Sequence, residues 1–382
     1  MNFELTDEQR SLQALCRDFA RKEIVPHRDE WNANKRFPVE VFRKMADLGL
    51  MGLLVPEAYG GTAVGAVAYV AAMEEIAKAD QSVASTWNAH LTIGSMPLLY
   101  FGTEEQKRRW LMPLARGERL GAFGLTEPEA GSDARSIRTT ARPDGDGWVI
   151  NGTKLFTSNA GTEMSQGVIL LAVSGSRPDG AKEYSAFMVP RGTPGFRLGR
   201  NLSKIGWDAT DTRELIFENC RVPGDHLIGT PGVGLRQFLH ALAIGRISVA
   251  ALSLGLAQGC LEVALDYARQ RQQFGQPISR FQAIQFKLAD MATAVENARL
   301  LTYKAAWLYD QGAEYAKEAA MAKLYASDTA MSAASEAVQI HGGYGYIDEY
   351  VVSRFFRDAK ILQIGEGTNE IQRLVIARFL GC

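Results

Sequence analysis

The apolar residues of this chain change their spacing twice, and that change limits the available folds more than any single motif does. From Thr6 to about Gly117 they recur every three or four positions, as in Leu12, Leu15 and Phe19, or Val41, Met45 and Leu48. This spacing predicts helices. Between Leu120 and about Gly232 the pattern becomes short runs of branched residues, such as Val168-Ile-Leu-Leu-Ala-Val173 and Ala186-Phe-Met-Val189, separated by Gly, Pro and Asp. Such runs predict strands, and Asn151-Gly152 reads as the tight turn of a hairpin. After Gly234 the helical spacing returns, with Ile247, Ala250, Leu254, Ala257 and Leu261 on one stripe and Phe286, Leu288, Ala292 and Val295 on another. The expectation is an α+β chain in three regions: a helical domain over residues 1–118, a β domain over 119–232 and a helical bundle over 233–382. No repeat or low-complexity linker separates them, so they are expected to pack as one protomer. The order helix, sheet, helix is not a βαβ series, and no GxGxxG follows a strand, so a nicotinamide cofactor is not indicated.

With 382 residues, 46% of them hydrophobic, the chain can bury a large core. Its 42 basic and 43 acidic side chains nearly cancel, so no global field recruits nucleic acid or an anionic membrane. Any anionic ligand must be held by local groups. Cys16, Cys220, Cys260 and Cys382 show neither CxxC pairs nor metal-ligand spacing, which predicts reduced thiols and no metal site. A long uncharged run, 247–261, follows Arg246 and is broken by Ser, Gly and Gln, so it reads as a core helix and not a bilayer span. Thr6-Asp-Glu-Gln9 is a helix-start signal with no basic or apolar leader before it, and a cytoplasmic location is expected.

Four clusters could carry chemistry. Phe123-Gly-Leu-Thr-Glu-Pro-Glu-Ala-Gly-Ser-Asp133 gathers hydroxyls and turn formers; it is either a structural loop or a loop that offers N–H groups and hydroxyls to a polar ligand. Gln339-Ile-His-Gly-Gly-Tyr-Gly345 sets glycines in helical sequence, for a helix cap or for close approach to a ligand, and a lone His341 beside a cap reads as structural. Arg269-Gln-Arg-Gln-Gln-Phe-Gly275, followed by Phe281-Gln282, puts guanidinium groups near a helix end, where they serve the helix dipole or a phosphate. In Gln363-Ile-Gly-Glu-Gly-Thr-Asn-Glu-Ile-Gln-Arg373 a carboxylate stands between two glycines. Glu366 is therefore either a solvated turn residue or an unshielded base.

Together, in this order and at these separations, the four clusters resemble the acyl-CoA dehydrogenase family over essentially the whole chain. The resemblance implies an N-terminal helical domain, a β-barrel-like middle domain, a C-terminal four-helix bundle and a homotetramer built as a dimer of dimers. It implies FAD as cofactor and α,β-dehydrogenation of an acyl-CoA to a trans-2-enoyl-CoA, with Glu366 as base and the flavin as hydride acceptor. An electron-transferring flavoprotein or similar acceptor would follow, in fatty acid or branched-chain amino acid metabolism. By the same resemblance Phe123, Leu125, Thr126, Gly131 and Ser132 line the flavin, and Phe156, Thr157 and Ser158 cover its ring. Arg271, Phe274, Phe281 and Gln282, with Gln339, Ile340, His341, Gly342 and Gly343, would hold the pyrophosphate and adenosine of a neighbouring subunit's cofactor. Thr368, Asn369 and Glu370 would lie against the cofactor too. Ser132, Ala243, Arg246, Gly365 and Gly367 would border the substrate. Three positions depart from the family's common pattern: Ala243 replaces a frequent Asp, Phe156 a frequent Trp, and Gly365 a Tyr of straight-chain enzymes, the last implying a short or branched acyl group. Relatives that carry the base earlier place it at the position of Gly245, which cannot serve. Two other readings stand beside this one: a related flavin oxidase or monooxygenase that uses oxygen, and a non-catalytic assembly flavoprotein.

Overall fold

The computed structural model describes residues 4–382. Helix α1 (Asp7–Phe19) opens on Thr6, whose side chain accepts from the Gln9 N–H while the Gln9 side chain accepts from the Thr6 N–H. Two N–H groups that a helix start leaves unpaired are thereby satisfied. Helix α2 (Val39–Asp47) follows, then α3 (Ala66–Ala79) and α4 (Gln81–Leu91). Asp80 separates the last two and caps α4 by accepting from the Val83 N–H at 2.9 Å. Both helices are buried on nearly every face, whereas Leu15 and Leu48 lie exposed, so the stripes of α1 and α2 are narrower than their spacing suggested.

The middle region is one sheet of eight strands: β1 (Phe123–Gly124), β2 (Thr140–Asp144), β3 (Gly147–Ser158), β4 (Gly167–Ser176), β5 (Lys182–Pro190), β6 (Phe196–Asn201), β7 (Thr212–Pro223) and β8 (Leu227–Ile228). The order is β6-β7-β3-β2-β4-β5-β8, with β1 parallel to β4. In β4, Val168 and Leu170 join a core inside the sheet while Ile169 and Leu171 join the core shared with the helices. A strand buried on both faces reads as a continuous apolar run, and this one does.

The hairpin assigned to Asn151-Gly152 is overturned. Both residues lie inside β3, where the register against β7 shifts between Ile150 and Gly152. Gly152 has φ +147°, and a Cβ there would stand 2.5 Å from Thr139 Oγ1. The side chain of Asn151 accepts from the Asn219 N–H at 2.8 Å. The backbone freedom of this dipeptide serves a bulge that bends a long strand. The turn between β2 and β3 falls instead at Gly145-Asp146, flanked by the Asp144–Gly147 pair.

Helices α5 (Gly234–Gln270), α6 (Gln282–Asp310), α7 (Ala316–His341), α8 (Val351–Leu362) and α9 (Asn369–Phe379) close the chain. At 37 residues α5 is about 55 Å long. Every residue from 243 to 257 is buried, so no single stripe exists there. Its most apolar 18-residue window is 83% buried among the other helices, which accounts for a composition that could otherwise cross a membrane. The second stripe needs correction as well. The inner face of α6 is Met291, Val295, Ala298, Thr302 and Ala305, while Phe286 and Ala292 point outward. Repeated alanines on α7, from Ala319 through Ala337, let it lie close along α5.

A buried ion pair fixes the loop after β1. Lys154 Nζ on β3 donates to Glu127 Oε1 at 2.7 Å and to the Leu125 carbonyl at 3.2 Å. The same carboxylate accepts from the main-chain N–H groups of Arg138 and Thr139. Burial opposes both charges and pulls Lys154 down to about 8, while Glu127 stays below the usual carboxylate range because Lys154 and the hydrogen bonds outweigh its own burial. Removing one partner strands the other charge, so Lys154→Met should destabilise the protein by about 3–5 kcal/mol, read as a lowered Tm. A Tm equal to that of the unaltered protein would contradict this account of the loop.

Candidate active site

Glu366 lies in the turn between α8 and α9, with the left-handed backbone angle φ +53°, and Gly367 follows at φ +94°. A non-glycine residue held there costs on the order of 1–3 kcal/mol unless its surroundings impose the geometry. They do so from three sides. Lys323, fully buried on α7, donates to the Gly367 carbonyl and to Asn369 Oδ1, both at 2.9 Å. Gln372 Nε2 donates to the same carbonyl at 2.8 Å, and Thr368 caps α9 by accepting from the Ile371 N–H. Asn369 is buried and donates to Ser327 and Asp328.

The carboxylate itself points inward. Its Oε1 accepts from Asn88 Nδ2 at 3.2 Å, and its Oε2 is buried with no hydrogen-bond partner among the described residues. Burial raises the Glu366 pKa to about 7, although the Asn88 amide and the charges of Lys323 and Arg246 all favour the ionised form. Arg246, buried on α5, has its own pKa lowered by burial against the pull of Glu366. A Cβ built on Gly245 would stand 1.9 Å from Glu366 Oε2 and 3.4 Å from Ile93 Cγ2. The absent side chain of α5 thus makes room for this oxygen, and a carboxylate at 245 and one at 366 would compete for one space.

The first cluster and the end of β3 meet through the Leu155 N–H, which donates to the Thr126 carbonyl at 2.8 Å. Phe123 stacks on Phe238 at 4.2 Å, while Leu125, Thr126 and Ser158 are half-buried and Gly131 and Ser132 are exposed. Phe156 is forced to φ +58° beside a second bulge and leaves its ring 63% exposed. Thr157 is buried, and its hydroxyl has no partner among the described residues. An exposed aromatic ring on a strained backbone beside an orphaned hydroxyl fits a planar polar ligand such as a flavin.

A second patch surrounds a cleft of about 490 Å³ lined by Arg271, Ile340, His341, Gly342, Gly343 and Tyr344, among others. Arg271 stacks its guanidinium over the Tyr344 ring at 5.4 Å. Gly342 needs its φ of +61° to end α7, whereas a Cβ on Gly343 would meet nothing within 4 Å. Local packing therefore does not demand the second glycine, and a ligand's approach would. Phe274 is 93% exposed and meets Phe281 edge-on at 5.9 Å; Gln282 and Gln339 are exposed as well. An arginine, open glycines and exposed rings fit a pyrophosphate and an adenine. Among the described residues no hydrogen bond or ring contact joins this patch to Glu366 or β3.

Several of the residues expected at the site spend their side chains within the chain. His341 places Nδ1 against the Ala337 carbonyl at 2.8 Å and stacks on Tyr267 at 4.0 Å, the structural role its position suggested. Ile340 is buried, Asn369 anchors the turn, and the Thr368 hydroxyl is a helix cap, so these residues offer a ligand mainly backbone atoms. Glu370 is exposed. Ala243 and Arg246 are buried on α5, while Gly365 and Gly367 are half-buried. A Cβ on Gly365 would meet only the Ile361 carbonyl, at 3.4 Å. Sequence reading missed Asn88 and Lys323. The one available signal was Lys323, a lone charge in the apolar register of α7 between Ala319 and Ala326.

Family models for the N-terminal, middle and C-terminal domains of acyl-CoA dehydrogenases match residues 6–118, 122–220 and 232–381. The probable acyl-CoA dehydrogenase YngJ of Bacillus subtilis is 51% identical over all of both chains. The human mitochondrial short-chain specific acyl-CoA dehydrogenase is 46% identical over 99% of this chain and 91% of its own. Among solved structures, butyryl-CoA dehydrogenase from Megasphaera elsdenii superposes with a TM-score of 0.96 at 42% identity, covering both chains fully. A chain from work on the electron transferring flavoprotein of Acidaminococcus fermentans does so at 0.96 and 43%, over 100% of this chain and 99% of that one. An acyl-CoA dehydrogenase complexed with FAD from Bacillus anthracis gives 0.93 at 35%, over 99% of this chain and 68% of that one.

The space shared by Gly245 and Glu366 gives a separable prediction. Gly245→Ala should change the Tm little, since the helix preference of alanine, about 1 kcal/mol, is offset by displacement of the buried carboxylate. It should also push the carboxylate aside and lower turnover by roughly tenfold or more, because small misplacements of a reacting group are costly. Unchanged turnover would contradict the placement of Oε2.

Proposed function

The chain belongs to the acyl-CoA dehydrogenase family, FAD-dependent oxidoreductases that act on acyl-CoA, and on that premise we propose that Glu366 is the base that removes the substrate's α-proton. The observation that carries the proposal is the buried, unpartnered Oε2 on a carboxylate whose pKa is raised to about 7. A base poised near the working pH combines a useful ionised fraction with proton affinity. The α C–H bond gives its proton to Oε2, and its electron pair becomes the new double bond as the β hydrogen departs with its own pair. FAD, when bound, supplies the acceptor for that hydride. Charge developing on the thioester oxygen needs a donor, and the Glu366 N–H, which makes no main-chain hydrogen bond among the described residues, is available to give one.

Residues 123–126 and 156–158 would hold the flavin, and the cleft around Arg271 would take the pyrophosphate and adenosine of a second copy's cofactor, in a homotetramer. That no hydrogen bond or ring contact joins the two patches among the described residues supports this. The physiological acceptor would be an electron-transferring flavoprotein, in keeping with the structural neighbour from that system. Glu366→Gln should keep FAD bound and lower dehydrogenation by at least about a thousandfold, on the order expected when a general base is lost. Near-normal turnover in that variant would refute the assignment.

The substrate would be a short or branched acyl-CoA. The short-chain relatives support a short chain, and the lack of a side chain at Gly365, where a Cβ would make one ordinary contact, with the Ile361 carbonyl, supports room for a branched one. In a panel of acyl-CoA thioesters, kcat/KM should peak at short or branched chains, and Gly365→Tyr should depress branched substrates more than straight ones. A steep preference for long straight chains would contradict this reading.

A further inference from the structure

Asn88 belongs to none of the four sequence clusters, yet its side chain is the direct hydrogen-bond partner of the Glu366 carboxylate. It is 3% exposed, on the all-buried helix α4. Tyr69, fully buried on α3, donates its hydroxyl to Asn88 Oδ1 at 3.3 Å. Thr92 donates to the Asn88 main-chain carbonyl at 2.8 Å, and its hydroxyl stands 3.3 Å from the same Oδ1. An amide has one accepting end and one donating end. With Oδ1 taken by a hydroxyl donor, Nδ2 faces the other way, and there it meets Glu366 Oε1 at 3.2 Å. The opposite amide orientation would set Oδ1 against a carboxylate oxygen, two acceptors face to face. One carboxylate oxygen is thus occupied, while Oε2 stays unpartnered beside Gly245.

We propose that Asn88 is a positioning residue: oriented by the Tyr69 hydroxyl, its amide holds Oε1 of Glu366 and leaves Oε2 as the oxygen that takes the substrate proton. The inference rests on Glu366 being the base. Besides Asn88, the groups facing the carboxylate are Lys323 from α7, Arg246 from α5 and the neutral Tyr69 from α3. The two cations act at longer range, since neither forms an ion pair with Glu366 among the described residues. A donor to an ionised carboxylate favours the ionised form, so losing it must raise the pKa of the base. An apolar residue at 88 would raise the pKa by added burial as well, so Tyr69→Phe, which keeps the amide and removes only the hydroxyl that orients it, separates positioning from burial.

The test follows the acid limb of kcat/KM with butyryl-CoA in the holoenzyme, which reports the free enzyme's base. Exchange of the substrate α-hydrogen into D2O serves as a second readout. Asn88→Leu should move the limb to higher pH by on the order of one unit, with FAD still bound. Tyr69→Phe should move it the same way by less, and the double variant should match Asn88→Leu alone. If Asn88→Leu does not fold, Tyr69→Phe decides: a limb displaced upward supports the proposal. An unmoved limb in folded Asn88→Leu, or in Tyr69→Phe, overturns it. Failure of the base assignment would look different, because Glu366→Gln would then retain both turnover and α-hydrogen exchange.

Discussion

The ammonium group of Lys323, buried among the alanines of α7, holds the Glu366 turn together. One side chain ties down the carbonyl that follows the strained residue and the amide that begins α9. Burial pulls its pKa down to about 8 against the attraction of Glu366 and Asp328, so the charge there is costly and is kept by specific acceptors. That fixed point lets a glutamate adopt a left-handed backbone beside two glycines without relaxing into solvent. The catalytic proposal depends on this geometry more than on the identity of any residue in the flavin patches.

The electrostatics of the carboxylate are a balance that burial wins. Two cations and an amide favour ionisation, yet the net direction is upward because the apolar walls of α3, α4 and α5 remove water. Arg246 shows the same competition from the other side, with its guanidinium disfavoured by burial and its Nε without a partner. Two opposite charges in one dry space, not directly paired, leave the carboxylate free to react. A close ion pair would have pushed its pKa down and covered its oxygens.

The three-part architecture was legible because helix and strand periods differ, and β4 showed both of its buried faces as one apolar run. The misreadings share a cause: spacing records which residues are apolar but not which neighbours surround them. Thus α5 looked striped although it is enclosed, Phe286 looked inward although it faces out, and Asn151-Gly152 carried a turn's chemistry into a bulge. At the site, Glu366 and the glycines beside it were legible as a motif and Gly245 as a vacancy. Their convergence was not, because α4, α5 and α7 bring Asn88, Gly245 and Lys323 together from positions far apart in the chain. A buried asparagine among the other buried polar residues of α4 has no sequence signature that separates packing from positioning.

The most direct test of the central claim is the pH dependence of the second-order rate at which butyryl-CoA bleaches the flavin of the unaltered enzyme under anaerobic conditions. With Glu366 as a buried base, the rate should climb about tenfold per pH unit on the acid side and level off above about 7. A rate independent of pH across that range would contradict the account.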